Sequence, residues 1–166
     1  MIIPRLAASA VERLAKGFPV VAITGPRQSG KTTLTRQLFA HKPYVSLENP
    51  DQRQFASEDP KRFLAQFSDG AVIDEVQRVP TLFSWLQGLV DDRQRMGDFV
   101  LTGSSQFELV RHMTQSLAGR VGRVELLPLQ GIELRNAGQQ PGSLDEQMVK
   151  GHYPALYSRD LLPQDW

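Results

Sequence analysis

Val20-Val21-Ala22-Ile23-Thr24-Gly25-Pro26-Arg27-Gln28-Ser29-Gly30-Lys31-Thr32-Thr33-Leu34 decides the fold. Four consecutive apolar residues read as a strand buried on both faces, because a half-exposed strand would alternate with polar residues. From Gly25 to Thr32 the chain fits G-x-x-x-x-G-K-[ST] at every fixed position. At average residue usage a chance match in a chain of this length is roughly one in a few hundred. Leu34 and Leu38 then mark one face of a helix. Strand, glycine-bearing turn and helix in this order build a cradle for phosphate. Glycines let the backbone aim N–H groups inward, and the helix start adds the positive end of its dipole. Lys31 is expected to reach the β- and γ-phosphates and Thr32 to offer its hydroxyl to Mg²⁺. Thr33 is a candidate for the α-phosphate. Gly25, Pro26, Arg27, Gln28, Ser29 and Gly30 complete the binding loop, and Arg27 could touch nucleotide or a neighbouring subunit.

Working outward, apolar runs alternate with helical patterns. Residues 44–47, 71–73, 99–101 and 121–127 read as further strands. A helical stretch over residues 51–67 is interrupted at Asp59-Pro60, since proline disfavours helix in the residue before it. Leu82, Leu86, Leu89 and Val90 mark a helix after Pro80, and Phe107, Val110, Thr114 and Leu117 another. Residues 5–16 form a short amphipathic helix for which Gly17 is the expected C-terminal cap. This alternation predicts an α/β fold: a three-layer P-loop NTPase core with a five-stranded, mostly parallel sheet and helices on both faces.

The third strand ends in Asp74-Glu75, about 40 residues beyond the loop. In this setting Asp74 is expected to hold Mg²⁺ and Glu75 to polarise an attacking water. No Asn-Lys-x-Asp stretch or Asp-x-x-Gly switch of signalling GTPases is present, nor a Leu-Ser-Gly-Gly signature of transporter ATPases. The fourth strand runs into Thr102-Gly103-Ser104-Ser105, where a hydroxyl could sense the γ-phosphate. Ser104 leads, with Ser105 and then Thr102 behind it. Arg120 and Arg123 flank the start of the fifth strand. Either could be an arginine finger donated to a neighbouring subunit, Arg120 ahead of Arg123, although a guanidinium at a helix C-terminus is also favoured by the dipole alone.

Composition bounds the rest. The 166 residues predict one domain. They are 40% hydrophobic and 22% charged with net charge +1, which gives no global footprint for nucleic acid or an anionic membrane. Zero cysteines exclude disulfides and thiol chemistry. His41, His112 and His152 match no metal spacing. No apolar run approaches the ~20 residues of a membrane span, so a cytoplasmic protein is expected.

The loop, Val72 to Pro80, Leu101 to Ser105 and Ser116-Leu117-Ala118-Gly119-Arg120, in that order, resemble the AAA-type ATPases of bacteria and archaea that join an N-terminal ATPase core to a C-terminal domain of unknown function. The resemblance covers residues 3 to about 134, with an echo at Gly151-His152-Tyr153-Pro154. It implies ATP and Mg²⁺ binding and hydrolysis, with Lys31, Thr32, Asp74 and Glu75 in the roles above. The finger reading of Arg120 would make the chain a homo-oligomer, and a protein partner is expected without being identified. Residues 1–134 are then the core, 135–143 a linker rich in Gly, Gln and Pro, and 144–166 the start of a truncated C-terminal region. Tyr153, Leu156, Tyr157, Leu161, Leu162 and Trp166 are expected to find few partners. A nucleotide-dependent binding module with little hydrolysis, or a small-molecule kinase, are the alternatives to an ATPase.

Overall fold

Three strands are buried along their whole length: β1 (Val20–Thr24), β3 (Ala71–Asp74) and β4 (Phe99–Gly103). With β2 (Tyr44–Ser46) and β5 (Val121–Glu125) they form one sheet in the order β2-β3-β4-β1-β5, and every pairing is parallel. The computed structural model describes residues 2–104, 106–139 and 141–158.

The period-two alternation of each strand sorts its side chains between two cores. Val20, Ala22, Ala71, Ile73, Phe99 and Leu101 face one side. There they meet α3 (Pro50–Glu58), α4 (Pro60–Ala65), α5 (Leu82–Arg93) and α6 (Gln106–Ser116), through Ala56, Phe63, Leu86 and Met113 among others. Val21, Ile23, Val72 and Val100 face the other side, against Val11 of α1 (Ala7–Gly17) and Leu34 of α2 (Lys31–Leu38). The layered α/β architecture expected from the strand runs is therefore present, with the sheet wholly parallel.

Asp59 is the hinge that proline chemistry anticipates. It ends α3 in a non-helical conformation and its side chain accepts from Arg62 N at 2.9 Å to open α4. Three local expectations are corrected. Gly17 is the last helical residue rather than a left-handed cap, and extended Phe18 closes α1 by donating to Leu14 O. Leu47 is fully buried yet lies beyond β2, and β5 ends at Glu125, leaving Leu127 exposed.

A further correction concerns the end of the chain. Beyond α7 (Gly131–Asn136) and α8 (Leu144–Lys150), the short α9 (Ala155–Ser158) turns back onto the core. Leu156 and Tyr157 are buried with Ile3, Leu129 and Leu134, and Tyr153 packs against the same group. His152 locks this return: its carbonyl accepts from Leu129 N at 2.8 Å and its Nδ1 donates to Leu129 O at 2.6 Å. Tyr153, Leu156 and Tyr157 thus have partners, because the N-terminal segment supplies an apolar flank not visible in the local sequence. Ser105, Leu161, Leu162 and Trp166, and the side chains of Phe107 and Val110, lie outside the described residues. Among the described residues no helix is long and apolar enough to cross a membrane.

Candidate functional site

Parallel strands all point their carboxyl ends the same way, and the loops at that end gather the polar residues. The phosphate loop leaves β1 at Thr24 and enters α2 at Lys31. Gly25 sits at φ +146, and a Cβ there would stand 2.1 Å from Leu126 O, so only glycine fits between β1 and the end of β5. Gln28 at φ 63 and Gly30 at φ +97 are left-handed, a backbone form that can present N–H groups to an anion, while Ser29 N between them donates to Pro26 O at 3.4 Å. The first N–H groups of α2 have no intrahelical partners, and no side chain among the described residues caps them. Ser29 is fully buried, and its Oγ has no hydrogen-bond partner among the described residues.

Lys31 is 6% exposed and donates to Gly25 O (2.9 Å) and Pro26 O (2.8 Å). Burial lowers its pKa, opposed by the charges of Glu75 and Asp74, while Arg27 adds to the lowering. Asp74 closes β3 opposite Ser46 of β2. Its Oδ2 accepts from Tyr44 (2.7 Å) and Ser46 (3.3 Å), and its Oδ1 accepts from the buried Thr102 hydroxyl. The Tyr44 phenol is pushed up to about 12 by burial and by the Asp74 carboxylate, so it is a donor at neutral pH. Glu75 sits at φ 54, and this left-handed turn breaks the strand alternation, so two consecutive carboxylates serve one cavity. Ser104 Oγ donates to Glu75 Oε2 at 2.9 Å, and Gln77 Nε2 donates to the same oxygen.

Arg27, Gln28, Gly30, Lys31, Thr32, Thr33, Asp74 and Glu75 all line one cavity of about 440 Å³. Glu48 and, from the C-terminal return, Pro154, Ala155 and Ser158 complete it. A second, more apolar cavity of about 270 Å³ adjoins it, sharing Gly30, Thr33, Pro154 and Ser158, with Ile2, Ile3 and Leu129 as apolar walls. Arg5 braces both. Its guanidinium pairs with buried Glu133 (3.2 Å) and donates to Ser29 O at 2.6 Å, while Glu133 accepts from Leu6 N and Gln130 N. Oxygen donors from Thr32 and Asp74 suit a Mg²⁺ that keeps most of its water and takes phosphate oxygens.

The structure thus brings together the loop, Asp74, Glu75, Ser104 and Thr102. It does not bring in Arg120. That residue precedes β5, whose first residue pairs with Val20 at the opposite end of β1 from the loop. Five residues of strand, about 16 Å, intervene. Arg120 instead chelates Asp91 of α5, at 2.6 and 2.8 Å, and Arg123 is exposed on β5. Tyr44, Ser46, Arg5, Glu133 and the Pro154 wall were not singled out from the sequence. Their contacts arise from register and from pairings across much of the chain. Strand pairing alone would have found Ser46.

Two proteins described as uncharacterized, from Mycobacterium tuberculosis and Mycobacterium bovis, are 38% identical over 157 residues, 93% of this chain. The chain spans about a third (34%) of their length. Among solved structures, a Walker-type ATPase of Pyrococcus abyssi superposes with a TM-score of 0.61 at 16% identity, covering 92% of this chain and 65% of that one. AMPPCP-bound DnaA from Aquifex aeolicus gives 0.57 at 15% identity, covering 92% and 57%. Both likenesses speak to the fold. Residues 17–134, from the end of α1 to α7, match the family model described as AAA domain, and the chain belongs to the AAA-type P-loop ATPases.

Proposed function

We propose that this domain binds ATP with Mg²⁺ and hydrolyses it to ADP and phosphate. The observation that carries the reading is the convergence of the phosphate loop, Asp74 and Glu75 on one cavity. Loop N–H groups and the start of α2 hold the phosphates. Lys31 exchanges its two carbonyl partners for β- and γ-phosphate oxygens. Thr32 and Asp74 hold Mg²⁺, which supplies charge neutralisation on the phosphates. Glu75 accepts a proton from water as the water oxygen bonds to the γ-phosphorus and the bond to the β–γ bridging oxygen breaks. Ser104 orients Glu75. The base lies in the apolar cavity between Ile2, Ile3, Leu129 and Pro154. Residues 1–134 are the ATPase unit, 135–143 the connection and 144–166 a C-terminal segment whose α9 forms part of the cavity wall. Arg120 acts on a neighbouring copy's nucleotide in a homo-oligomer.

The test is MgATP turnover of the purified chain beside Lys31→Ala and Glu75→Gln. Wild-type turnover no higher than either variant sinks hydrolysis, and nucleotide binding retained by Lys31→Ala sinks the loop assignment. One observation favours the second reading, a nucleotide-dependent binding module: Ser104 and Gln77 both occupy Glu75 Oε2, which restrains the base. A change of oligomeric state with MgATP in the absence of turnover would support that module.

A further inference from the structure

Asp74 is 8% exposed, and the side chains recorded on its carboxylate oxygens are three neutral hydroxyls: Tyr44 and Ser46 on Oδ2, Thr102 on Oδ1. A carboxylate offers about four acceptor sites. Three are taken, so Asp74 keeps one lone pair for anything else. A carboxylate limited in this way can meet a cation at one point but cannot grip it with both oxygens.

Tyr44 is the donor best placed to enforce the limit. Its ring is fixed from two sides. It sits on β2 in register with Val72, and the Arg36 guanidinium of α2 lies 4.3 Å above its centroid. The phenol therefore has little freedom to swing off Oδ2. Ser46, at 3.3 Å, makes the longer bond to the same oxygen, and its Oγ also accepts from Glu48 N at 3.3 Å. Arg36, Tyr44 and Asp74 together link the helix that follows the phosphate loop to the strand that carries the acidic pair.

Mg²⁺ keeps several waters and takes one or two carboxylate contacts, whereas Ca²⁺ favours higher coordination and bidentate carboxylates. We propose that Tyr44 is a positioning residue that holds Asp74 to a single-point contact and so makes the site prefer Mg²⁺ over Ca²⁺. This rests on the reading of the cavity as a nucleotide–cation site.

The experiment titrates a fluorescent ATP analogue onto the purified chain in chelator, in Mg²⁺ and in Ca²⁺, for wild type, Tyr44→Phe and Arg36→Ala. In Tyr44→Phe, affinity in chelator stays within about twofold of wild type. The gain from Mg²⁺ falls about 10-fold, the usual scale for losing a hydrogen-bond partner behind a metal ligand. The gain from Ca²⁺ is kept or rises, so the Mg²⁺/Ca²⁺ ratio collapses. Arg36→Ala moves the ratio the same way by less, and it tests the idea even if Tyr44→Phe is poorly folded. An unchanged ratio in both variants overturns the proposal, as does an equal loss with both cations, which a purely structural role would give. Wild type that binds no nucleotide under any condition overturns the site reading itself, and this proposal with it.

Discussion

At the amino end of β4, Asp98 is 3% exposed and is met by cations: Arg93 at 3.1 Å and Arg95 at 3.0 Å. Lys42 adds a third, donating to the backbone carbonyls of Asp98 and Asp69. At the carboxyl end of β3, Asp74 is nearly as buried, yet neutral hydroxyls surround it. One end of the sheet compensates its buried charge inside the protein. At the other, the cation within reach is Lys31, which bonds Gly25 O and Pro26 O and acts on Asp74 and Glu75 only through space. A buried carboxylate is costly unless paired, so the two aspartates differ in whether cations or neutral hydroxyls make the direct contacts.

Variants can break this contrast at either end. The largest effect is expected from Glu75→Gln, which keeps nucleotide affinity while turnover falls about 10²–10⁴-fold, the span attributed to a positioned base; single-turnover phosphate release reads it. Next is Asp98→Ala. It leaves two arginines without their carboxylate, and because Arg95 is 43% exposed the loss is put at about 3 kcal/mol, the low end for a broken buried pair. Chemical denaturation should show it, with nucleotide affinity unchanged. Lys31→Met reverses that pattern. Losing charge-assisted bonds to phosphate should cost about 2–3 kcal/mol, roughly 100-fold in affinity. Since burial disfavours the Lys31 charge, the melting temperature without nucleotide should not fall. If Lys31→Met melts well below wild type, the lysine is structural and the contrast fails. The smallest effect on the isolated chain belongs to Arg120→Ala. Its pair with Asp91 is exposed, so stability should not move. What should vanish is any rise of specific activity with protein concentration, and activity that is flat on dilution in wild type removes the finger.

The sequence was most readable where chemistry depends on neighbours along the chain. Gly25 to Thr32 and Asp74-Glu75 are local patterns, and their residue types and spacing carry the whole meaning. Helix breaks at Asp59-Pro60 and the two-sided burial of β1 were readable for the same reason. What stayed hidden depends on register or on distant partners. Thr102 ranked behind Ser104 and Ser105 as a hydroxyl, but β4 pairs Leu101 with Ile73 and so sets Thr102 beside Asp74, while Ser104 reaches Glu75. Tyr44 reads as a strand residue until β2 is laid against β3. Arg5 and Glu133 are separated by most of the chain, and neither is unusual in its local setting. Their pairing exists because α7 opens beside the N-terminal segment, where Glu133 can serve the N–H groups of Leu6 and Gln130. Pro154 enters the cavity wall for the same kind of reason: His152 docks on Leu129.

The parallel order β2-β3-β4-β1-β5 also dictates a timetable. No strand pairs through a hairpin, so no part of the sheet can zip up locally, and such topologies fold slowly. β1, which carries the phosphate loop, is made early but has its neighbours in β4 and β5, with Val20 against Phe99 and Val121. During synthesis its buried apolar run must wait for residue 103 before one edge can be paired and for residue 125 before the other can. Gly25 waits as well, since the backbone that presses against it is Leu126. A nascent chain halted before that point would hold every residue of the phosphate loop and the acidic pair, with the loop still unshaped and a sticky strand exposed to chaperones.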